Sequence, residues 1–209
     1  MTSLAQSERG ALCDLALELG PDVPTLCTGW TTFDLVTHLI ARERHPIAGL
    51  GIILPPLAGM TEKAMAKEKR RDYEQAVERL RSGPPYPMRL VDRQINTIEY
   101  FVHLEDIRRA NARTESRPDA DGADDELWNT LRRGARIIGR KARSVALDLV
   151  RDTGETIKVS GGDGKPSARI VGRPGEIALF LMGRKEAAHV ELEGDDEAIQ
   201  FLHQADLSA

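Results

Sequence analysis

Cysteine is scarce in this chain of 209 residues, with Cys13 and Cys27 the only two. A disulfide framework needs more of them and suits chains too small to build a core, so two cysteines here argue against one. No apolar run approaches the roughly 20 residues that a membrane-spanning helix requires. The opening residues, MTSLAQSERGALCDLALELG, interrupt their apolar positions with charge and lack the continuous apolar stretch of a secretory signal. A cytoplasmic location without membrane attachment is therefore expected. Positive charge is not in excess either: 29 Lys and Arg stand against 33 Asp and Glu, a formal net charge of −4. A dedicated nucleic-acid binder would be basic, so no nucleic-acid partner is expected.

What is present is the composition of a soluble globular protein, 41% hydrophobic and 30% charged, with length enough for two modest domains. Leu4, Ala11, Leu12, Leu15 and Leu19 keep helical spacing until Gly20, Pro21 and Pro24 stop the pattern. Thr31 is a candidate N-cap with Asp34 three residues on, and Phe33, Leu35, Val36, Leu39 and Ile40 give the second helix its buried side. The segment PIAGLGIILPPLAG reads as a packed connection. A third, highly charged helix is expected over 61–81, and a fourth over NTIEYFVHLEDIRRA, residues 96–110. Four helices in this length fit a helical bundle, residues 1–112. The acidic stretch NARTESRPDADGADD, residues 111–125, marks a domain boundary. Beyond it, residues 123–209 open with a helix over 124–141 and continue as SVALDLVR, TIKVSG, SARIVG, GEIALFLMG and AAHVELEG, closing on DDEAIQFLHQA. The expectation is a small antiparallel sheet carrying helices, which makes the whole chain α+β.

Chemistry concentrates in the fourth helix, where Glu99 and His103 stand four residues apart on one side. That spacing serves a simple side-chain contact or two ligands of one metal ion. Bundles build metal sites from facing helices, and His38 on the second helix is the candidate third ligand. Asn96 shares the ligand face, where it contacts a ligand or holds a neighbouring helix. Asp106 either orients a ligating histidine or pairs with Arg108 or Arg109. His45 marks a helix end and reads as a solvated cap, and Trp30 as packing at the bundle entrance.

PTLCTGWTTFDLVTHLIARE and NTIEYFVHLEDIRRA resemble the opening signature and the later metal-binding helix of the mycothiol-dependent maleylpyruvate isomerase and DinB-like superfamily. GRPGEIALFLMGR and VELEGDDEAIQFL are similar to the sterol-carrier-like domain appended to those isomerases. The resemblance implies a DinB-like four-helix bundle followed by a smaller α+β sterol-carrier-like domain. It implies that His38, Glu99 and His103 hold a divalent ion, with zinc the first expectation and nickel, iron or manganese compatible with the same donors. It further implies that mycothiol serves as thiol co-substrate, that the activity is isomerisation or S-transfer on a small electrophile, and that an arginine of the second domain, here Arg184, acts on the substrate. Asn96 is the matching candidate for cofactor contact. A monomer or homodimer is expected. The competing expectation is a metal-binding or ligand-binding protein without turnover.

Two other signals are read as structural. SGGDGKPS contains a Gly-Lys pair near a serine, but Pro166 interrupts the phosphate-loop pattern, and a hairpin turn between strands is expected there. LRRGARIIGRKAR, rich in arginine, reads as a nucleic-acid-facing helix or as a solvated or domain-facing one, and the acidic balance of the chain favours the second reading.

Overall fold

The computed structural model describes residues 3–44, 58–86, 89, 92–120 and 122–207. The chain divides into two compact units, Met1–Thr114 and Glu115–Ala209, a division that falls within the acidic stretch. Among the described residues the protein is mixed α and β, with eight helices and one four-stranded sheet. None of these helices is long and apolar enough to cross a membrane. His45 and most of PIAGLGIILPPLAG lie outside the described residues.

The first unit contains α1 (Leu4–Leu19), α2 (Thr32–Arg44), α3 (Ala58–Glu68), α4 (Tyr73–Arg81) and α5 (Asp92–Ala110). Ser3 opens α1 with a capping box to Gln6, and Gly20 at φ 88° closes it. Thr31 and Asp34 form the reciprocal pair expected at the start of α2: the Thr31 amide donates to Asp34 Oδ2 at 3.1 Å, and the Asp34 amide to Thr31 Oγ1 at 3.4 Å. The one long helix expected over 61–81 is instead two, α3 and α4. Asp72 starts the second, its carboxylate accepting from the amides of Glu74 and Gln75. A short acidic side chain capping its own backbone competes with continuing the helix through it.

α1 packs along α5, α4 lies against α1 and α2, and α3 lies against α2. Leu12, Leu15, Leu35, Leu39, Leu80, Leu104 and Ile107 meet in one apolar core. α5 also carries a polar stripe: Asp92, Asn96, Glu99, His103 and Asp106, at alternating spacings of four and three residues, follow one helix face. All but Glu99 are under a tenth exposed, so each must find a partner inside the protein. Arg9 of α1 supplies the first. Its guanidinium donates to Asp92 at 2.6 and 3.1 Å and to Glu43 Oε1 of α2 at 2.5 Å, and lies over the Tyr100 ring at 4.4 Å. Tyr100 Oη donates to the same Glu43 oxygen at 2.7 Å. Burial pushes the Glu43 carboxyl above its ordinary range, against the pull of Arg9 and Tyr100.

The second unit contains α6 (Ala123–Lys141), β1 (Ala146–Arg151), β2 (Thr156–Ser160), β3 (Ser167–Gly172), α7 (Pro174–Leu181), β4 (Glu191–Gly194) and α8 (Asp196–Gln204). The strand order is β2-β1-β3-β4, with β1 antiparallel to β2 but parallel to β3, and β3 antiparallel to β4. The sheet is therefore mixed, not wholly antiparallel. SGGDGKPS is not a hairpin turn, because β3 pairs with β1, and the loop must cross the end of β1 to deliver it there. Ala146 N donates to Pro166 O at 2.8 Å as the loop arrives. GEIALFLMG, grouped with the strands by its sequence, is helical in α7. Its eight residues Pro174–Leu181 are all buried, so no period shows in their hydrophobicity, and Pro174 at the first turn favours a helix start. Leu147, Leu149, Ile157, Ala168 and Ile170 supply the buried side of the sheet.

Replacing Arg9 by Met should destabilise the first unit by about 3–5 kcal/mol, because two buried carboxylates lose their shared counter-charge. Urea unfolding followed by helical circular dichroism measures the loss.

Candidate metal centre

The stretch between α1 and α2 is folded back on the bundle. Pro24 and Thr31 form an isolated antiparallel bridge, the Thr25 amide donates to Trp30 O at 3.1 Å, and the Leu26 amide donates to Asp106 O at 3.1 Å. Gly29 turns this loop at φ 78°. The result is that Cys27 is held against Asp106 in the carboxyl-terminal half of α5. Trp30 packs on His38 with ring centroids 5.0 Å apart.

His38, Glu99 and His103 come together, each offering one donor atom, with all three atoms within 4.8 Å of one another. His103 Nε2 lies 3.3 Å from Glu99 Oε1, and His38 Nε2 lies 3.8 Å from the same oxygen. Two ligands of a tetrahedral ion at bonds of about 2.0–2.1 Å stand about 3.3 Å apart. The observed separations are those of a donor set that closes on an ion with small movements.

Beyond these donors, further groups orient them. His103 Nδ1 meets Asp106 Oδ2 at 2.8 Å, and Cys27 Sγ donates to that same oxygen at 3.3 Å. Cys27, His103 and Asp106 could also be taken as a metal-holding set. The 2.8 Å approach decides for a hydrogen bond, since it is shorter than the spacing of two ligands on one ion. Asp106 is fully buried and so orients the imidazole, while Glu105 is the carboxylate that pairs with Arg108 and Arg109. Arg42, one turn beyond His38, places Nε 3.2 Å from Glu99 Oε1 and also donates to Asn96 Oδ1. The Asn96 amide nitrogen donates to Asp92 at 2.7 Å and to Glu43 at 3.3 Å. Asn96 thus ties α2 to α5 beside the donors.

The charges follow from these contacts. Burial alone would raise the Glu99 carboxyl, but hydrogen bonds from His103 and His38 and the charge of Arg42 hold it well below the usual carboxylate range. Burial alone would lower His103, but its bonds to Asp106, Cys27 and Glu99 hold it well above the usual histidine range. His38 is the opposite case: burial dominates and lowers it, with Glu99 pulling the other way. His38 Nδ1 is buried without a hydrogen-bond partner among the described residues. His103 stands between two carboxylates, Asp106 at Nδ1 and Glu99 at Nε2, and a cation binding at Nε2 would have to displace any proton held there.

Arg184 belongs to the second unit, after the turn that ends α7, where its Nη1 donates to Met182 O at 2.6 Å. Arg42 and Cys27 did not emerge from the sequence. The spacing of Arg42 four residues after His38 could have identified it; nothing in the sequence places Cys27 beside Asp106.

No protein-family model, curated protein or solved structure matches this chain.

The two thiols should differ sharply in reactivity. Cys13 is fully buried and its thiol is pushed up to about 12 by burial, whereas Cys27 is partly exposed. A reagent must reach the sulfur, and Cys13 is both sealed from solvent and held as the unreactive thiol, so alkylation of the folded chain at pH 8 should label Cys27 and leave Cys13 unmodified until the chain unfolds, as peptide mass spectrometry will read.

Proposed function

We propose that the first unit carries a mononuclear divalent-metal centre held by His38, Glu99 and His103, and that the protein uses it with a low-molecular-weight thiol to isomerise a small electrophile or transfer the thiol to it. The observation that carries this reading is the convergence of the two Nε2 atoms on Glu99 Oε1. Three protein donors leave coordination positions for water or a substrate atom, unlike the four of a closed structural site. An ion bound there supplies a Lewis acid that lets a thiol exist as thiolate at neutral pH.

The chain's own groups have separate parts in this reading. Asp106 fixes the His103 ring so that Nε2 is the donor. Arg42 holds Glu99 and offsets its negative charge, so the anionic ligand does not quench the positive field that a thiolate needs. Trp30 covers one side of His38. Mycothiol as the thiol, and Arg184 as a substrate-binding residue, rest on the resemblance of the sequence motifs. So does the description of the units as a DinB-like bundle and a sterol-carrier-like domain. The positions that support the resemblance are a histidine on the second helix and a Glu-x-x-x-His pair on the last helix of the first unit.

Metal analysis of protein purified without an affinity tag tests the centre, with zinc the first metal expected. One metal per chain is expected, and His103→Ala should lose it while keeping most of the helical signal, because the apolar core does not include that ring. Asp106→Asn should weaken metal affinity by about 10- to 100-fold. Adding mycothiol to the cobalt-loaded protein should produce a thiolate-to-cobalt absorption band. Full metal occupancy in the His103→Ala protein overturns the ligand assignment, and metal without a thiol band replaces the enzyme reading with a metal-binding role.

A further inference from the structure

The second unit carries a basic pocket that the metal centre does not use. It is a surface pocket of about 540 Å³ between the carboxyl-terminal half of α6 and the loop that leads from β2 to β3, lined in part by Arg136, Arg140, Arg143 and Lys165. The helix can come this close because residue 139 is glycine: a Cβ there would stand 2.3 Å from Val159 O of β2. The same loop is the Gly-Lys segment whose resemblance to a phosphate loop fails at Pro166.

Three observations set these cations apart. First, several arginines elsewhere in this unit rest on carboxylates, as Arg151 on Asp125, Arg169 on Glu193 and Arg173 on Asp124 do. Among the described residues no carboxylate is within ion-pair distance of Arg136, Arg140 or Arg143. Second, Lys165 is not a loose surface lysine. Its ammonium donates to Arg143 O at 2.6 Å and to Gly161 O at 3.4 Å, which fixes it at the pocket and leaves one of its three donors for a ligand. Third, the concentration of positive charge runs against the formal net charge of −4. The carboxyl end of a helix presents only about half a negative charge. Four cations exceed what that end requires.

Arginine's planar fork matches the oxygens of a phosphoryl group in pairs, and two or three arginines with a fixed ammonium match a ligand carrying several negative charges. The pocket volume is that of a small-molecule site. A nucleic acid would call for a longer basic track and a basic domain. We propose that this pocket binds the oligophosphate group of a small molecule, either a free oligophosphate or the diphosphate of a nucleotide.

Calorimetric titration of the full chain with inorganic pyrophosphate tests the site, at about 50 mM salt so that screening does not hide it. Saturable binding at one site per chain is expected. Arg140→Gln should weaken it by about tenfold, and Arg140→Gln combined with Arg143→Gln should weaken it further. Arg169→Gln, which removes an exposed arginine already paired with Glu193, should leave it unchanged. These side chains are exposed, so the variants should keep the wild-type melting temperature. A parallel titration with a nucleoside diphosphate separates the sources: tighter binding than pyrophosphate assigns a nucleotide, equal binding a free oligophosphate. Pyrophosphate binding that never saturates, or that survives both arginine substitutions, overturns the proposal. So does binding of a single-stranded oligonucleotide where pyrophosphate fails, which would make the face a nucleic-acid surface.

Discussion

The ion cluster around Arg9 is the constraint on which the arrangement of the first unit depends. One guanidinium from α1 meets Glu43 of α2 and Asp92 of α5, all three side chains almost wholly buried. Taking three charges out of water is costly, and the cost is offset only when the geometry satisfies them together. Any slide of α2 along α5 would strand a carboxylate. The apolar core contributes more free energy, but leucines on leucines tolerate small shifts that this cluster does not. The register it sets is the one that places His38, one turn before Arg42, across from Glu99 and His103.

The polar stripe on α5 continues that constraint into the site. Asn96 and Arg42 link the Arg9 cluster to Glu99, and Asp106 with Cys27 closes the far end behind His103. Structural and chemical roles are thus graded along one helix face, from a buried ion cluster to a partly open donor set. His103 and Glu99 are polarised in opposite directions by their neighbours, and a cation entering between them meets a carboxylate already ionised.

Much of this was legible in the sequence, for reasons that particular residues make plain. Glu99 and His103 share a helix, so their spacing alone puts them together, and Thr31 with Asp34 fixes a helix start within four residues. The division between units falls within the acidic stretch 111–125, where few apolar groups can join either core. What was not legible depends on long-range pairing or on competition between weak local terms. Asp72 breaks a helix that charge pattern and spacing would continue. Pro174–Leu181 is buried all round, which erases the periodicity that separates helix from strand. Nothing local says that β3 pairs in parallel with β1 instead of with its sequence neighbour β2. The contacts of Cys27 with Asp106 and of Arg9 with Asp92, separated by 79 and 83 residues, exist only once the helices are packed.

The placement of the two tryptophans has an optical consequence. Trp30 stands on His38 at the donor set, while Trp128 is 2% exposed in the core of the other unit. Each unit therefore contains its own fluorophore, one in a half-exposed setting that senses the imidazole beneath it and one sealed from solvent as an internal reference. A single emission spectrum of the unmodified chain thus carries separate signatures of the two units, distinguishable by colour and by quenching, without any introduced label.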